Sequence, residues 1–75
     1  AGLSYKEQKE LEQIEGQIAA VDARVSELEA LLADPAVYQT RRTEVPALQQ
    51  ELTTQRAESE RLMNRWAELE EKRGA

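Results

Sequence analysis

The stretch LLADPAVY at residues 31–38 decides the fold, because it interrupts a helical pattern near the middle of the chain. Asp34 is a favoured helix cap. Pro35 suits the first position of a new helix and disfavours helical geometry in the residue before it. We therefore predict that a first helix stops near Ala33 and that a short helical turn follows over 35–39.

Upstream of this break, apolar side chains recur at steps of three and four residues, the period of a coiled-coil seam. They are Leu11, Ile14, Ile18, Val21, Val25, Leu28 and Leu32. Ser4 and Glu7, three residues apart, form a capping-box pattern that marks a helix start. The first helix is predicted over about 4–33, after a linker or cloning remnant at 1–3.

Downstream of the break, a second seam follows with the same steps. Its members are Val45, Leu48, Leu52, Gln55, Ser59, Leu62, Trp66 and Leu69. Thr43 is placed to cap this helix, and Pro46 falls in its first turn, where a missing N–H is tolerated. We predict a tip over 34–42, a second helix over about 43–73 and a tail at 74–75.

Two helices of similar length with a short connection favour an all-α fold, a two-helix antiparallel intramolecular coiled-coil hairpin with a short helical turn at its tip. The predicted core is Leu11, Ile14, Ile18, Val21, Val25, Leu28, Leu32, Leu48, Leu52, Leu62, Trp66 and Leu69. Beside the seam we predict ion pairs of about 0–1 kcal/mol each. The predicted pairs are Glu10 with Lys72, Arg24 with Glu58, and Asp22 with Arg56.

The composition excludes several kinds of chemistry. The 75 residues include no cysteine and no histidine, so thiolate zinc sites, disulfides and imidazole catalysis are absent. No apolar run approaches the roughly 20 residues that cross a bilayer, and the first residues do not resemble a signal peptide. We expect a cytoplasmic protein without membrane contact, which is not itself an enzyme and holds no metal or cofactor.

Basic residues in two places are candidates for contact with nucleic-acid phosphates. Arg41 and Arg42 lie at the predicted tip. The other group gathers where the first helix begins and the second ends: Lys6, Lys9, Arg61, Arg65, Lys72 and Arg73. The competing interpretation for both groups is ordinary solvated surface. The net charge of −5 argues against binding of nucleic acid by electrostatic attraction alone.

The three aromatic side chains could either pack or stack on a nucleic-acid base. Trp66 lies on the seam and is predicted to pack in the core. Tyr5, off the seam in the first helical turn, is predicted to cover the open end of the hairpin. Tyr38 is predicted to plug the tip.

Three segments together resemble the C-terminal domain of Uup-type ABC-F ATPases. They are LSYKEQKELE at 3–12, LLADPAVY at 31–38 and RWAELEE at 65–71. The resemblance implies a bacterial protein with two ATP-binding cassettes upstream, where ATP and magnesium bind. It also implies a coiled-coil hairpin linked to DNA binding in a ribosome-associated translation factor. The chain has no Gly-rich phosphate-binding loop, so it is not expected to bind ATP itself.

These observations predict a non-catalytic accessory module of an ABC-F type ATPase that binds DNA or ribosomal RNA. The alternative is a protein-interaction or structural coiled coil that spaces or orients its partners, or that self-associates through apolar surface such as Leu31 and Met63. We expect the chain to be a monomer.

Overall fold

The structure, a computed structural model, describes residues 2–74. Its elements are α1 (Tyr5–Ala33), α2 (Pro35–Thr40), a 3₁₀ turn (Arg42–Glu44) and α3 (Val45–Gly74). This part of the chain contains no strand, so the predicted all-α class is confirmed. Ala1 and Ala75, which the sequence assigned to the linker and the tail, lie outside the described residues.

Side chains replace missing backbone hydrogen bonds at the starts of α1 and α2. The Ser4 hydroxyl accepts from the Glu7 N–H at 3.2 Å, and the Glu7 carboxylate accepts from the Ser4 N–H at 3.0 Å, which completes the predicted capping box. At the other end, Asp34 adopts extended geometry and its carboxylate accepts from the Ala36 N–H at 3.0 Å. Asp34 therefore ends α1 and caps α2, as Pro35 requires.

Helix α3 begins later than the sequence predicted. Arg41 leaves helical geometry at φ −126° and ψ 35°, and its carbonyl accepts from the Glu44 N–H at 2.9 Å to close the 3₁₀ turn. Thr43 lies inside this turn instead of capping the helix, so that prediction is wrong. Pro46 is the second residue of α3, where no intrahelical N–H is needed.

Two apolar clusters join α1 to α3. The tip cluster contains Leu28, Val37, Val45, Leu48 and Leu52, with Val25, Leu31 and Leu32 packed against it. The end cluster contains Leu11, Ile14, Leu62 and Leu69, with Leu3, Ile18 and Val21 against it. The end of α1 thus contacts the start of α3, and the start of α1 contacts its end, in a molecule of 56 × 16 × 15 Å.

Trp66 is the one predicted core residue among residues 2–74 that the structure leaves exposed. Its side chain is 37% exposed, and its indole N–H donates to the Glu15 carboxylate at 3.3 Å. A seam between only two helices is open to solvent on both sides, so a large ring with a polar N–H can lie along the edge instead of between the helices. The predicted core position of Trp66 is therefore wrong.

The tip is filled by a residue that the heptad pattern did not identify. Val37 in α2 is only 4% exposed and belongs to the tip cluster. Tyr38, predicted to plug the tip, is exposed instead, and its hydroxyl donates to the Leu32 carbonyl at 2.8 Å. Because α2 has a single turn and a half, only one of these neighbouring side chains can face the seam.

Candidate functional site

One edge of the seam is closed by two bidentate ion pairs. The Arg24 guanidinium donates to both carboxylate oxygens of Glu51 at 2.6 and 2.7 Å, and Arg65 donates to both of Glu10 at 2.7 and 2.8 Å. All four residues directly precede a seam position, so they lie on the same side of the two helices. We call these four residues the arginine edge.

These contacts stabilise the charged forms of their acids. Hydrogen bonds from Arg65 hold the pKa of Glu10 below its usual value, and Arg24 does the same to the pKa of Glu51. The Glu7 carboxylate accepts from the Lys72 ammonium as well as from the Ser4 N–H, and its pKa falls from 4.5 to about 2. Glu7 thus caps α1 and fastens the end of α3 to it.

The predicted ion pairs were each wrong by one heptad. Glu10 contacts Arg65 instead of Lys72, Arg24 contacts Glu51 instead of Glu58, and Arg56 contacts Glu29 instead of Asp22. Residues seven apart on a helix lie on the same edge of the seam. The heptad pattern therefore identifies the edge on which a charge lies, but not the turn of the partner helix that it reaches.

Six of the eight basic candidates pair with glutamates. The pairs are Lys9 with Glu12, Arg41 with Glu44, Arg61 with Glu58, Arg65 with Glu10, Lys72 with Glu7, and Arg73 with Glu70. The predicted cluster at the open end is consequently interleaved with carboxylates. A phosphate there must compete with a glutamate for each of these cations.

Lys6 and Arg42 are the two candidates with no ion pair among residues 2–74. Both side chains are exposed. Lys6 lies in the first turn of α1 and Arg42 opens the 3₁₀ turn, at opposite ends of a molecule 56 Å long. The structure therefore separates the available cations instead of gathering them into one patch.

Tyr5 is the most exposed of the large apolar side chains, at 73%. The Lys9 ammonium lies 5.6 Å from the centroid of its ring, within the range of a cation–π contact. The exposed ring does not cover the end of the molecule where α1 begins, so that prediction is wrong. Leu3 packs against the end cluster instead.

An apolar groove, not predicted from the sequence, lies on the side of the seam away from the arginine edge. Its lining residues are Glu15, Ile18, Met63 and Trp66, and we call it the Trp66 groove. Met63 is 52% exposed and directly follows the seam residue Leu62. An apolar side chain at a flanking position that normally carries a charge was the available sequence signal.

Other kinds of site find no support in the part of the chain that is described. Between residues 2 and 74, no three histidine, cysteine, aspartate or glutamate side chains are arranged to hold a metal ion. No helix in this span combines the length and the apolar character needed to cross a membrane.

Residues 2–71 match the family described as the ABC transporter C-terminal domain. The chain belongs to this family. Two proteins of Haemophilus influenzae, "ATP-binding protein Uup-like" and "ATP-binding protein Uup", are each 41% identical to it over 71 residues, which is 95% of this chain. "ATP-binding protein Uup" of Caulobacter vibrioides is 40% identical over 73 residues, 97% of this chain.

Membership of the ABC transporter C-terminal domain family confirms the predicted relationship to the C-terminal domain of Uup-type ABC-F proteins. The chain spans only 11 to 16% of the length of these curated relatives. No solved structure matches it.

Proposed function

We propose that this domain folds back on itself as an antiparallel intramolecular hairpin. We propose further that it serves as a non-catalytic, nucleic-acid-binding accessory module of a Uup-type ATPase. ATP and magnesium would bind in cassettes upstream of it, since this chain contains no Gly-rich phosphate-binding loop. Family membership supports this assignment, and so do the names of the relatives, which are ATP-binding proteins.

The observation that carries the nucleic-acid proposal is the position of Arg42. Its guanidinium is exposed and without an ion pair among the described residues, in the 3₁₀ turn between α2 and α3, at one end of a molecule 56 Å long. A guanidinium presents a planar fork of donors that matches phosphate oxygens. Arg41 beside it pairs with Glu44 on the surface, and surface pairs are weak enough for a phosphate to displace. The tip can therefore offer one or two cations to a phosphate backbone.

The paired state of the remaining candidates sets the expected strength of binding. If the tip neutralises one or two phosphates, a plot of the logarithm of the binding constant against the logarithm of the salt concentration should fall with a slope of about 1–2. Such a contact is weak alone, with a dissociation constant on the order of 10⁻⁴ M. It would add affinity or orientation to a larger protein.

Fluorescence anisotropy with labelled duplex DNA, single-stranded DNA and an RNA hairpin tests the proposal at low and moderate salt. Arg42→Ala should weaken binding several-fold, whereas Arg61→Ala, which removes a cation about four helical turns away from the tip along α3 and paired with Glu58, should change it little. Lys6→Ala tests whether nucleic acid contacts the other end of the molecule, where α1 begins. Absence of binding to all three probes at low salt would rule out this function, and a larger loss from Lys6→Ala would move the site away from the tip.

Self-association through Leu31 and Met63 receives less support. Leu31 packs against the tip cluster and is half-buried, so it does not offer an exposed apolar surface to a second chain. Met63 remains exposed, and its surroundings point to a different kind of partner.

A further inference from the structure

The two edges of the seam differ in how they are closed. On the arginine edge, each bidentate pair spans the gap between α1 and α3 and covers the seam. On the opposite edge, near the end cluster, the flanking residues are Glu15, Asp22 and Met63, each of which directly follows a seam residue. Ion pairs do not bridge the helices at these three positions of the described chain. Here the helices are bridged by single hydrogen bonds, from Ser59 to Asp22 and from Trp66 to Glu15, and an apolar groove lies beside them.

The Trp66 groove is apolar and too small for a cofactor. Ile18, Met63 and Trp66 supply its walls, and its volume is about 270 Å³. Small-molecule sites usually measure about 300–1,000 Å³ and enclose most of their ligand. This groove is instead the size of one or two side chains, and it lies open on the molecular surface. Tryptophan and methionine are also enriched at protein interfaces, where methionine adapts to the shape of its partner.

Two carboxylates without a cation lie at or near the groove: Glu15 lines it, and Asp22 lies about one helical turn beyond Ile18 on α1. Glu15 accepts from the Trp66 indole N–H at 3.3 Å. Asp22 accepts from the Ser59 hydroxyl at 2.7 Å, and that hydroxyl lies 3.7 Å from the Met63 sulfur. Neither carboxylate forms an ion pair within residues 2–74, whereas both acids of the arginine edge contact a guanidinium. The rim is therefore negative.

We propose that the Trp66 groove docks an amphipathic helix of a partner protein. An apolar side chain of that helix inserts between Met63 and Trp66, and lysine or arginine residues beside it contact Glu15 and Asp22. The apolar walls provide the anchor, as in other helix-in-groove interfaces. The unpaired carboxylates select a basic helix over an acidic one.

This surface is separate from the proposed nucleic-acid contact. The groove borders the end cluster, whereas Arg42 lies beyond the tip cluster. Glu15 and Asp22 would repel a phosphate backbone, so the groove is unsuited to nucleic acid. The same domain can therefore hold both partners at once, and loss of one contact leaves the other in place.

The test uses two synthetic amphipathic peptides of about 18 residues, long enough to form helix on a surface. One carries leucine and lysine, the other leucine and glutamate in the same pattern. Trp66, the one tryptophan of the chain, reports binding through its own fluorescence. We expect a saturable blue shift with the lysine peptide and at least tenfold weaker binding of the glutamate peptide.

Matched variants separate the groove from general charge attraction. Met63→Ser, and separately Glu15→Gln combined with Asp22→Asn, should each weaken binding of the lysine peptide at least tenfold. Glu60→Gln combined with Glu71→Gln makes the same change in net charge at exposed positions away from the groove, and should alter the affinity less than twofold. Circular dichroism should show the helical content of the parent chain in each variant; if Met63→Ser loses helix, the isosteric pair Glu15→Gln with Asp22→Asn decides the outcome, because both positions are exposed.

Three results would overturn the proposal. The control pair could weaken binding as much as the groove pair, which would mean unspecific attraction. The two peptides could bind equally, which would remove the charge selection. Sedimentation could also show a dimer that Met63→Ser abolishes, in which case a second copy of this chain occupies the groove.

Discussion

Replacing Leu69 by alanine perturbs the most completely buried side chain of the end cluster. Leu69 has no exposed surface and packs with Leu11, Ile14 and Leu62. Buried Leu→Ala substitutions cost about 2–5 kcal/mol through lost burial and the remaining cavity. A thin two-helix molecule can partly collapse around the gap, so we expect about 3 kcal/mol.

The effect on thermal unfolding follows from the size of the domain. For a domain of 60–100 residues, 1 kcal/mol shifts the melting temperature by about 4–8 °C. A loss of about 3 kcal/mol should therefore lower the midpoint by about 12–24 °C. Urea titration followed by the helical circular dichroism signal measures the free energy directly.

Met63→Ala is the matched control, because it also removes three heavy atoms from the same stretch of α3. Met63 is 52% exposed. Burying a whole methionine side chain contributes about 1.5–3 kcal/mol, so removal of a half-buried one should cost about 1 kcal/mol. Equal costs for the two variants, or a cost below about 1 kcal/mol for Leu69→Ala, would refute the described packing of the end cluster.

Three further predictions test the helix ends, the ion pairs and the backbone. The pKa of Glu7 is about 2 in the folded chain and 4.5 ordinarily, so its contribution to stability is complete above pH 4.5 and lost as the pH falls towards 2. The midpoint of urea unfolding, measured as the pH is lowered, should fall with this loss of stability. In Glu7→Gln the fall should be smaller. Gly16→Ala should stabilise the chain by about 1 kcal/mol, because an added Cβ meets nothing within 4 Å; an unchanged or lower urea midpoint would contradict this. Asp34→Ala removes the cap on the Ala36 N–H and should cost about 0.5–2 kcal/mol, which thermal unfolding can measure.

The sequence predicted those features that depend on local chemistry and periodicity. Asp34 and Pro35 marked the end of α1 because their backbone preferences act within a residue or two. The steps of three and four identified which side of each helix carries the apolar seam. Seven of the predicted core residues are buried: Leu11, Ile14, Leu28, Leu48, Leu52, Leu62 and Leu69.

Features that depend on how the two helices meet were harder to predict. Heptad position does not distinguish Glu51 from Glu58 as the partner of Arg24, since both lie on one edge. The exposure of Trp66 depends on the open sides of a two-helix seam, which periodicity does not describe. Six of the eight basic candidates pair with acids, because carboxylates are abundant on the same edges and turns.

The distance between the two ends of the chain tests the antiparallel hairpin most directly. The chain has no cysteine, so spin labels can be placed at Gln8→Cys and Glu71→Cys, both exposed positions. Packed helices lie about 8–10 Å apart, and with the labels' own reach the hairpin predicts a separation on the order of 10–30 Å at every protein concentration. Chains with one label should then give no dipolar signal. A separation near 95 Å, expected for one continuous helix at 1.5 Å per residue, or a short distance between singly labelled chains, would contradict it.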